Sequence, residues 1–226
     1  MDFMDLMAKV VMVYVPFLFA LCFHEYAHGW VAKKMGDPTA EMLGRVSMNP
    51  IVHMDLFGTV ILPLMAVLGP SPLFFGWAKP VPVSINNLEN PKNDMFWIAL
   101  AGPASNFLLA VVGFLVLGLR NTVGLSQDMN RLVFEVTQTF IYFNLFLAVF
   151  NLIPVHPLDG GKILARFLPI RANIWLEQNA SNISMALFGF ILLSSLTGGG
   201  LGIVTAPVRF LYVLLETLTG YLFLLS

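Results

Sequence analysis

The sequence contains little charge: only 11% of its 226 residues are Asp, Glu, Lys or Arg. A soluble domain carries about 25% charged residues, so this chain lacks the polar surface that an ordinary water-soluble globule needs. Its single cysteine, Cys22, excludes a disulfide framework and a zinc cluster built from cysteines. Its 12 basic and 13 acidic residues include no basic run, which excludes a nucleic-acid-binding protein. With 58% apolar residues and a mean hydropathy of +0.80, the composition predicts an integral membrane protein.

Long windows without a charged residue divide the chain into about six hydrophobic segments. A membrane-spanning helix needs about 20 largely apolar residues. The charge-free windows that exceed this length are residues 56–78, 95–119, 136–158 and 178–208. A shorter window at residues 10–23 continues as an apolar segment to residue 32, and the last segment, residues 201–225, contains only two charged side chains. The pattern predicts an all-α, multi-pass protein of the cell membrane.

The polar stretches between these segments are short and punctuated by proline and asparagine. The longest of them, residues 33–55 and 71–94, contain 23 and 24 residues. Around residues 44–86 the chain also carries β-prone pieces such as Val81-Pro82-Val83-Ser84-Ile85. These pieces predict a short re-entrant or edge segment beside the helices.

No polar stretch is long enough to form a separate soluble domain. We therefore expect one domain, residues 1–226, with a catalytic core at about residues 10–165 and a C-terminal helical hairpin at about residues 178–226. Arg209 and Glu216 lie two helical turns apart within this hairpin, and we expect them to pair or to lie at an interface.

Ionisable side chains inside an apolar segment are energetically costly and mark candidate functional sites. Three lie together in His24-Glu25-Tyr26-Ala27-His28. Successive helical residues are rotated by about 100°, so His24 and His28 share one face and lie one turn apart. Two imidazoles at this spacing can bind one zinc ion, while the carboxylate beside them reaches a water at the metal without ligating it. The motif predicts a zinc site with Glu25 next to it.

A catalytic zinc needs a third protein ligand and an open position for water. Asp159 follows a long apolar window, in a loop with two prolines and two glycines that can aim its carboxylate at a metal. His156 in the same loop is an equally sensible ligand, and His53 ranks behind both. The chemistry of these residues alone leaves the choice open.

Taken together, the motifs resemble the site-2 protease family of intramembrane zinc metalloproteases, in its compact form without a PDZ domain. The resemblance covers roughly residues 20–165, and the remaining C-terminal residues match only as hydrophobic segments. The matching pieces, in the family's order, are His24 to His28, Gly44-Arg45 with Asn49-Pro50, residues 76–83, residues 101–106, Asn151 to Pro154 and residues 157–161.

The resemblance implies one Zn²⁺ per chain, with Asp159 as the third ligand beside the two histidines. It implies that Glu25 is the catalytic carboxylate and that Asn151 helps to stabilise the oxyanion. His156 stands where such loops often carry another proline. The implied activity is hydrolysis of peptide bonds in membrane-anchored protein substrates, within or near their transmembrane segments.

A substrate helix must unwind before cleavage, because its carbonyls are paired internally. We expect residues 77–85 to pair with the unwound peptide as an edge strand, unless they pack as a re-entrant loop. The other polar residues within the spans, Asn106 and Asn144, are typical of helix-to-helix hydrogen bonds, and Gly102 of close helix packing.

Two other functions use the same residues. A membrane metal transporter would bind metal through the histidine pair, but its ionisable residues would be strung along several spans, often in inverted repeats. A non-catalytic scaffold would not need the intact set of His24, Glu25, His28 and Asp159. The protease is therefore the favoured function, with the bilayer and membrane-anchored proteins as partners, no nucleic acid, and an oligomeric state that the sequence leaves open.

Overall fold

The structure, a computed structural model, describes residues 3–68, 76–120, 122–196 and 202–224; within these ranges it is helical and contains no β-strand. The α-helices are α1 (Phe3–Lys34), α2 (Thr39–Met42), α3 (Leu62–Leu68), α4 (Pro91–Arg120), α5 (Gln127–Asn151), α6 (Asp159–Ala165), α7 (Ile170–Gln178), α8 (Ala180–Leu196) and α9 (Gly202–Leu224). Shorter helical turns are the 3₁₀ turns Pro50–His53 and Ile85–Asn87 and the π-helical turn Leu56–Ile61.

Three of these helices are long and apolar enough to cross a membrane: α1 from Leu6, α4 and α5, with 29, 30 and 25 residues. The chain is therefore a membrane protein by the length and composition of its helices. The expected six spans are not confirmed. The fragment Leu56–Leu68 and helix α8 are apolar but shorter, and Pro70 and Pro72 of the predicted second segment lie outside the described residues.

The core lies where α4 packs along α5, with α1 against both. Gly113 of α4 makes the close approach possible, since a Cβ atom there would lie 2.5 Å from Cγ1 of Ile141 on α5. Buried side chains from α4, α5, α8 and α9 join this contact in one apolar cluster that includes Phe114, Leu145 and Val208. The polar residues described below are carried by these three long helices and by the short helix α6.

The predicted β-prone region does not form a strand within the described residues. Residues 76–84 of this region are extended and lead into the 3₁₀ turn Ile85–Asn87; we call residues 76–87 the strap. The strap contains Pro80 and Pro82, which have no N–H to donate to a β-ladder. Its backbone is held instead by loop residues.

Three loop residues hold the first half of the strap. The Thr59 hydroxyl donates to the carbonyl of Trp77 at 2.7 Å, and the N–H of Lys79 donates to the carbonyl of His53 at 2.8 Å. The Arg45 guanidinium donates through Nη2 to the carbonyl of Lys79 at 2.6 Å. These bonds fix the strap across the end of α1.

Asp37 holds the other end of the strap and is completely buried. Its carboxylate accepts hydrogen bonds from the N–H of Ser84 at 2.7 Å and from Nδ2 of Asn87 at 2.8 Å. It also accepts from the N–H and the hydroxyl of Thr39. Burial raises the pKa of Asp37, but the hydrogen bonds favour the charged form more strongly, so the net pKa lies below its ordinary value.

Replacing Asp37 with Asn is expected to destabilise the protein by about 2 kcal/mol at neutral pH, because the amide cannot accept all of these hydrogen bonds. For a chain of this length, this corresponds to a fall in the melting midpoint of roughly 4–8 °C. The lowered pKa means that the contribution is complete above about pH 4 and is lost as the pH falls through the folded-state pKa. Thermal unfolding of both proteins in detergent at several pH values measures this contribution to stability.

The matched control is Glu89→Gln, which removes an exposed carboxylate close to the strap. It should leave the midpoint unchanged. Equal midpoints for native protein and Asp37→Asn at pH 7, or a difference that widens in acid, would contradict this role for Asp37.

Candidate functional site

Two buried histidines of α1 form the centre of the site. His24 and His28 are 4% and 8% exposed, and their rings meet edge to face with centroids 4.6 Å apart. Their Nε2 atoms lie 3.0 Å from each other. One helical turn therefore brings the two nitrogens to a common point, as the sequence spacing predicts.

Asp159, the first residue of α6, completes the group from a distant part of the chain. Its Oδ2 atom lies 3.1 Å from Nε2 of His24 and 3.1 Å from Nε2 of His28. The turn before α6 is tight: a Cβ atom on Gly160 would lie 2.3 Å from the carbonyl oxygen of Ile153. Only glycine fits at that position, which allows the helix start to bring the carboxylate to the histidines.

The opposite nitrogens of the two rings are held by acceptors. Nδ1 of His24 lies 2.6 Å from Oδ1 of Asn106, and Nδ1 of His28 lies 2.7 Å from the carbonyl oxygen of Ile98. Because both partners accept, both rings carry their proton on Nδ1. Each Nε2 then presents a lone pair to the centre of the site.

Asn106 is fixed in this orientation by a buried polar chain between helices. Its amide nitrogen donates to the carbonyl of Ala20 on α1 at 2.9 Å and to Oδ1 of Asn144 on α5 at 2.9 Å. Nδ2 of Asn144 donates to the carbonyl of Phe140 at 2.8 Å. The expected helix-to-helix hydrogen bonds of the two asparagines are confirmed, and they also set the orientation of His24.

The donor set fits a zinc ion. With both rings protonated on Nδ1, His24 Nε2, His28 Nε2 and Asp159 Oδ2 are three converging acceptors, and a cation between them would offset their repulsion. Tetrahedral zinc with bonds of 2.0–2.2 Å places neighbouring ligand atoms about 3.3–3.6 Å apart, a few tenths of an ångström more than the spacing of 3.0–3.1 Å here. Among the described residues, these three form the cluster of His, Cys, Asp or Glu that can hold a metal.

The helix α4 leaves room for this centre at Gly102. A Cβ atom there would lie 2.5 Å from Nε2 of His28 and 2.6 Å from Nε2 of His24. The two imidazoles therefore pack directly on the backbone of α4. The sequence analysis predicted that Gly102 allows close helix packing. In the structure, the groups that pack against it are the imidazoles of the two candidate ligands.

Gly102→Ala is expected to lower zinc affinity by about 10–100-fold, since the methyl group must displace both imidazoles. Alanine is a good helix former, so the fold of α4 should persist. Competition with a chromophoric chelator measures the affinity. Gly189→Ala is the control, because a Cβ atom on Gly189 of α8 meets nothing within 4 Å. Native-like affinity in Gly102→Ala would contradict the tight packing.

Glu25 lies beside the three converging atoms and outside the ligand cluster. It is 9% exposed, and its Oε2 atom accepts a hydrogen bond from the N–H of Val81 in the strap at 2.8 Å. The strap therefore reaches directly to the carboxylate that the sequence analysis singled out. Nothing in the sequence pattern pointed to this bond, since it involves a backbone group.

A cavity of about 630 Å³ opens onto these groups. Glu25, His24, His28 and Asp159 line it together with strap residues and with the apolar side chains of α4, α5 and α8. Cavities of this size hold drug-sized molecules or short peptide segments. Its walls are mostly apolar.

Asn151 and Lys162 are further polar residues at the cavity wall. Asn151, at the end of α5, donates one amide hydrogen to the carbonyl of Leu147 at 3.0 Å. Nζ of Lys162 lies 3.5 Å from Oδ1 of Asp159, the oxygen that faces away from the histidines. Sequence reasoning did not single out Lys162; its position one helical turn after Asp159 was the available signal.

The two alternative third ligands lie elsewhere. His156 is half-buried and makes no hydrogen bond within the described ranges. His53 is buried, and its Nε2 donates to the carbonyl of Ser47 at 2.8 Å, which stabilises the loop that holds the strap. Cys22 is buried and directs its sulfur to the carbonyl of Met48, away from the site.

Comparison with known proteins gives one family. The model of peptidase family M50 matches residues 12–129 and 119–195 of the chain. No solved structure matches it significantly.

Three similar proteins carry the term zinc metalloprotease in their names. YwhC of Bacillus subtilis is 35% identical over 180 residues, which cover 79% of this chain and 76% of YwhC. Rip2 of Mycolicibacterium smegmatis is 30% identical over 66% of this chain and 54% of its own length. MJ0392 of Methanocaldococcus jannaschii is 25% identical over 81% of this chain, which spans less than half of that protein, 42%.

Proposed function

Because this chain belongs to peptidase family M50 and is a zinc metalloprotease, we propose that it cleaves peptide bonds within the membrane. Its substrates on this proposal are membrane-anchored proteins, cut within or near their transmembrane segments. The enzyme is a multi-pass protein of the cell membrane, and residues 1–226 form one domain with a catalytic core at about 10–165 and a helical hairpin at about 178–226.

The observation that carries this proposal is the depth of the site along α1. His24, Glu25 and His28 lie within the stretch Leu6–Lys34, which is apolar enough to cross a membrane. Ionisable residues in such a stretch are costly and are kept where they line a functional cavity. A peptide bond that reaches these residues must therefore come from a chain that is itself in or next to the bilayer.

The roles of the residues follow from their contacts. His24, His28 and Asp159 would hold the zinc ion, with Asn106 and the carbonyl of Ile98 orienting the two rings. When bound, zinc supplies Lewis-acid chemistry, which polarises a carbonyl and makes water nucleophilic near neutral pH. These three side chains line the catalytic cavity, so a zinc ion held by them would be accessible from it.

Glu25 acts as the general base and then as the general acid. Its carboxylate takes a proton from the attacking water and passes it to the leaving amine. Asn151 has a second amide hydrogen beyond the one given to Leu147, and this hydrogen is available to the oxyanion at the cavity wall. Val81 holds Glu25 in place through its N–H.

The strap supplies the surface on which an unwound substrate pairs. Val81 and Val83 line the cavity, and the N–H and carbonyl of Val83 have no hydrogen-bond partner among the described residues. An extended peptide can use these groups as it would the edge of a sheet. The bonds from Arg45 and Asp37 hold the strap in position on either side of them.

The direct experiment reconstitutes the full chain in phosphatidylcholine vesicles with a single-span reporter protein. Mass spectrometry of the products locates the cut. We expect zinc-dependent cleavage within the reporter's apolar segment or next to it, which a chelator stops and added zinc restores. Cleavage confined to a soluble loop far from the bilayer would contradict intramembrane action while leaving the protease activity intact.

Val83→Pro is expected to lower kcat/KM at least about tenfold, because proline removes the N–H offered to the substrate, and bound zinc should be unchanged. Val83→Thr is the matched control, since it keeps the N–H and the branched shape and should stay close to native. Unaltered cleavage by Val83→Pro would remove the edge-strand role of the strap.

A further inference from the structure

A second cavity, separate from the catalytic one, lies between α1, α5 and α9 and has a volume of about 920 Å³. It is lined by Val13 of α1, by residues of α5 from Gln138 to Phe143 and by one face of α9. The groups that carry its chemistry are Gln138, Thr139, Tyr142, Thr205, Arg209 and Tyr212. We call this cavity the α9 groove.

The α9 groove contains a cation, Arg209, that has no counter-charge among the residues that the structure describes. Arg209 is exposed in the groove, and within the described ranges it has no hydrogen bond or ion pair. The nearest acid along α5, Glu135, is paired with Arg131 at 2.8 Å. Glu216, the acid on α9 itself, lies seven residues beyond Arg209 and forms no ion pair with it in the described part of the chain, so of the two expectations, a pair or an interface, the interface stays a prediction.

The polar groups around Arg209 are hydroxyls and an amide, without a carboxylate. Nε2 of Gln138 donates to the Tyr212 hydroxyl at 3.3 Å, which joins α5 to α9 across the groove. Small residues on the same face of α9, Ala206 among them, leave open space next to the guanidinium. The groove thus combines one positive charge and several neutral hydrogen-bonding groups with a mostly apolar wall.

The groove and the catalytic cavity are lined by different residues of the long helices. Val13 precedes His24 by 11 residues, about 16 Å along α1. Gln138 precedes Asn151 by 13 residues, about 20 Å along α5. Arg209 is seven residues from the start of α9 at Gly202, about 10 Å along the helix axis, and its long flexible stem can carry the guanidinium further toward that end.

We propose that the α9 groove binds an anionic glycerophospholipid, with its phosphate on Arg209 and an acyl chain along the apolar wall. Charge complementarity supports this occupant, because an arginine without an ion pair in a mostly apolar groove is complementary to a lipid phosphate. The inference rests on the membrane arrangement proposed above. It does not depend on the zinc site, whose cavity shares no lining residue with the groove.

The test is native mass spectrometry of the full chain, released from mixed micelles that contain equal amounts of phosphatidylglycerol and phosphatidylcholine with the same acyl chains. The native chain should retain phosphatidylglycerol about fivefold more than phosphatidylcholine, the preference expected from one arginine near the surface. Arg209→Gln should abolish the preference, and Arg209→Lys, which keeps the charge, should preserve most of it.

Arg171→Gln is the control, since it removes an exposed arginine from α7, away from the groove. It should bind like the native chain. The proposal is overturned by equal retention of both lipids in the native chain, by an unchanged preference in Arg209→Gln, or by an equal loss in Arg171→Gln. Zinc content of each variant, measured in parallel, distinguishes a failed lipid site from a failed catalytic site or a misfolded chain.

Discussion

Glu25→Gln is expected to bind zinc as tightly as the native protein and to lose cleavage by about 10²–10⁴-fold. Glutamine has nearly the same shape, and its side-chain oxygen can still accept from the N–H of Val81. It cannot take a proton from water. The substitution therefore removes the proposed general base while leaving the three candidate ligands in place.

The measurement pairs zinc content with turnover of a single-span reporter in vesicles. The control is Glu177→Gln, which makes the same chemical change at an exposed carboxylate on α7. This variant should cleave normally. Full activity in Glu25→Gln would refute the assignment of Glu25 as the base. Loss of zinc as well as activity would instead identify Glu25 as a ligand.

Asp159→Asn is expected to weaken zinc binding by at least about 100-fold and to remove most of the activity. Asparagine keeps the size of the side chain but removes the negative charge that stands 3.1 Å from both imidazole nitrogens. A neutral amide is a poor zinc ligand, and its NH₂ group can occupy the position where the metal is needed.

Chelator competition and activity at rising zinc concentration are the matching measurements. Activity that partly returns at high zinc would support weakened binding rather than misfolding. Asp128→Asn, at the exposed start of α5, is the control. Native zinc affinity in Asp159→Asn would contradict its place among the ligands.

The sequence predicted the part of the site that depends on local geometry. His24 and His28 are one helical turn apart, so the periodicity of a helix was enough to place both imidazoles on one face. The third position was different. Asp159 is 131 residues from His28, and the chemistry of the loop did not distinguish it from His156. Only the resemblance to site-2 proteases favoured Asp159, and the roles of all these residues stay predictions until they are tested.

The contacts that hold Glu25 and the two histidines in place could not be predicted from the sequence, because they depend on tertiary packing. The Val81 N–H that holds Glu25 is a backbone group, and any residue except proline would offer it. The asparagines were recognised as helix-to-helix contacts, but which of them met a histidine depended on the packing of α4 against α1. The role of Gly102 was hidden for the same reason, because it depends on which side chains pack against that glycine in the folded protein.

The fold was predicted as helical and membrane-embedded from hydropathy alone, and that coarse prediction is confirmed by the three long apolar helices. The β-prone region did not form a strand within the described ranges. Alternating valines favour extended backbone, but Pro80 and Pro82 prevent a regular ladder, and the bonds from Arg45 and Asp37 replace it. The residue propensities correctly predicted the extended backbone. They could not predict which residues form hydrogen bonds with it.

The most direct test of a zinc protease centre within the membrane helices is anomalous diffraction from crystals of the purified chain, collected on both sides of the zinc absorption edge. A single anomalous peak is predicted 2.0–2.2 Å from His24 Nε2, His28 Nε2 and an oxygen of Asp159, at the end of the cavity beside Glu25. A zinc peak bound by other residues, or the absence of a peak between these three side chains in protein that cleaves its substrate, would contradict the account.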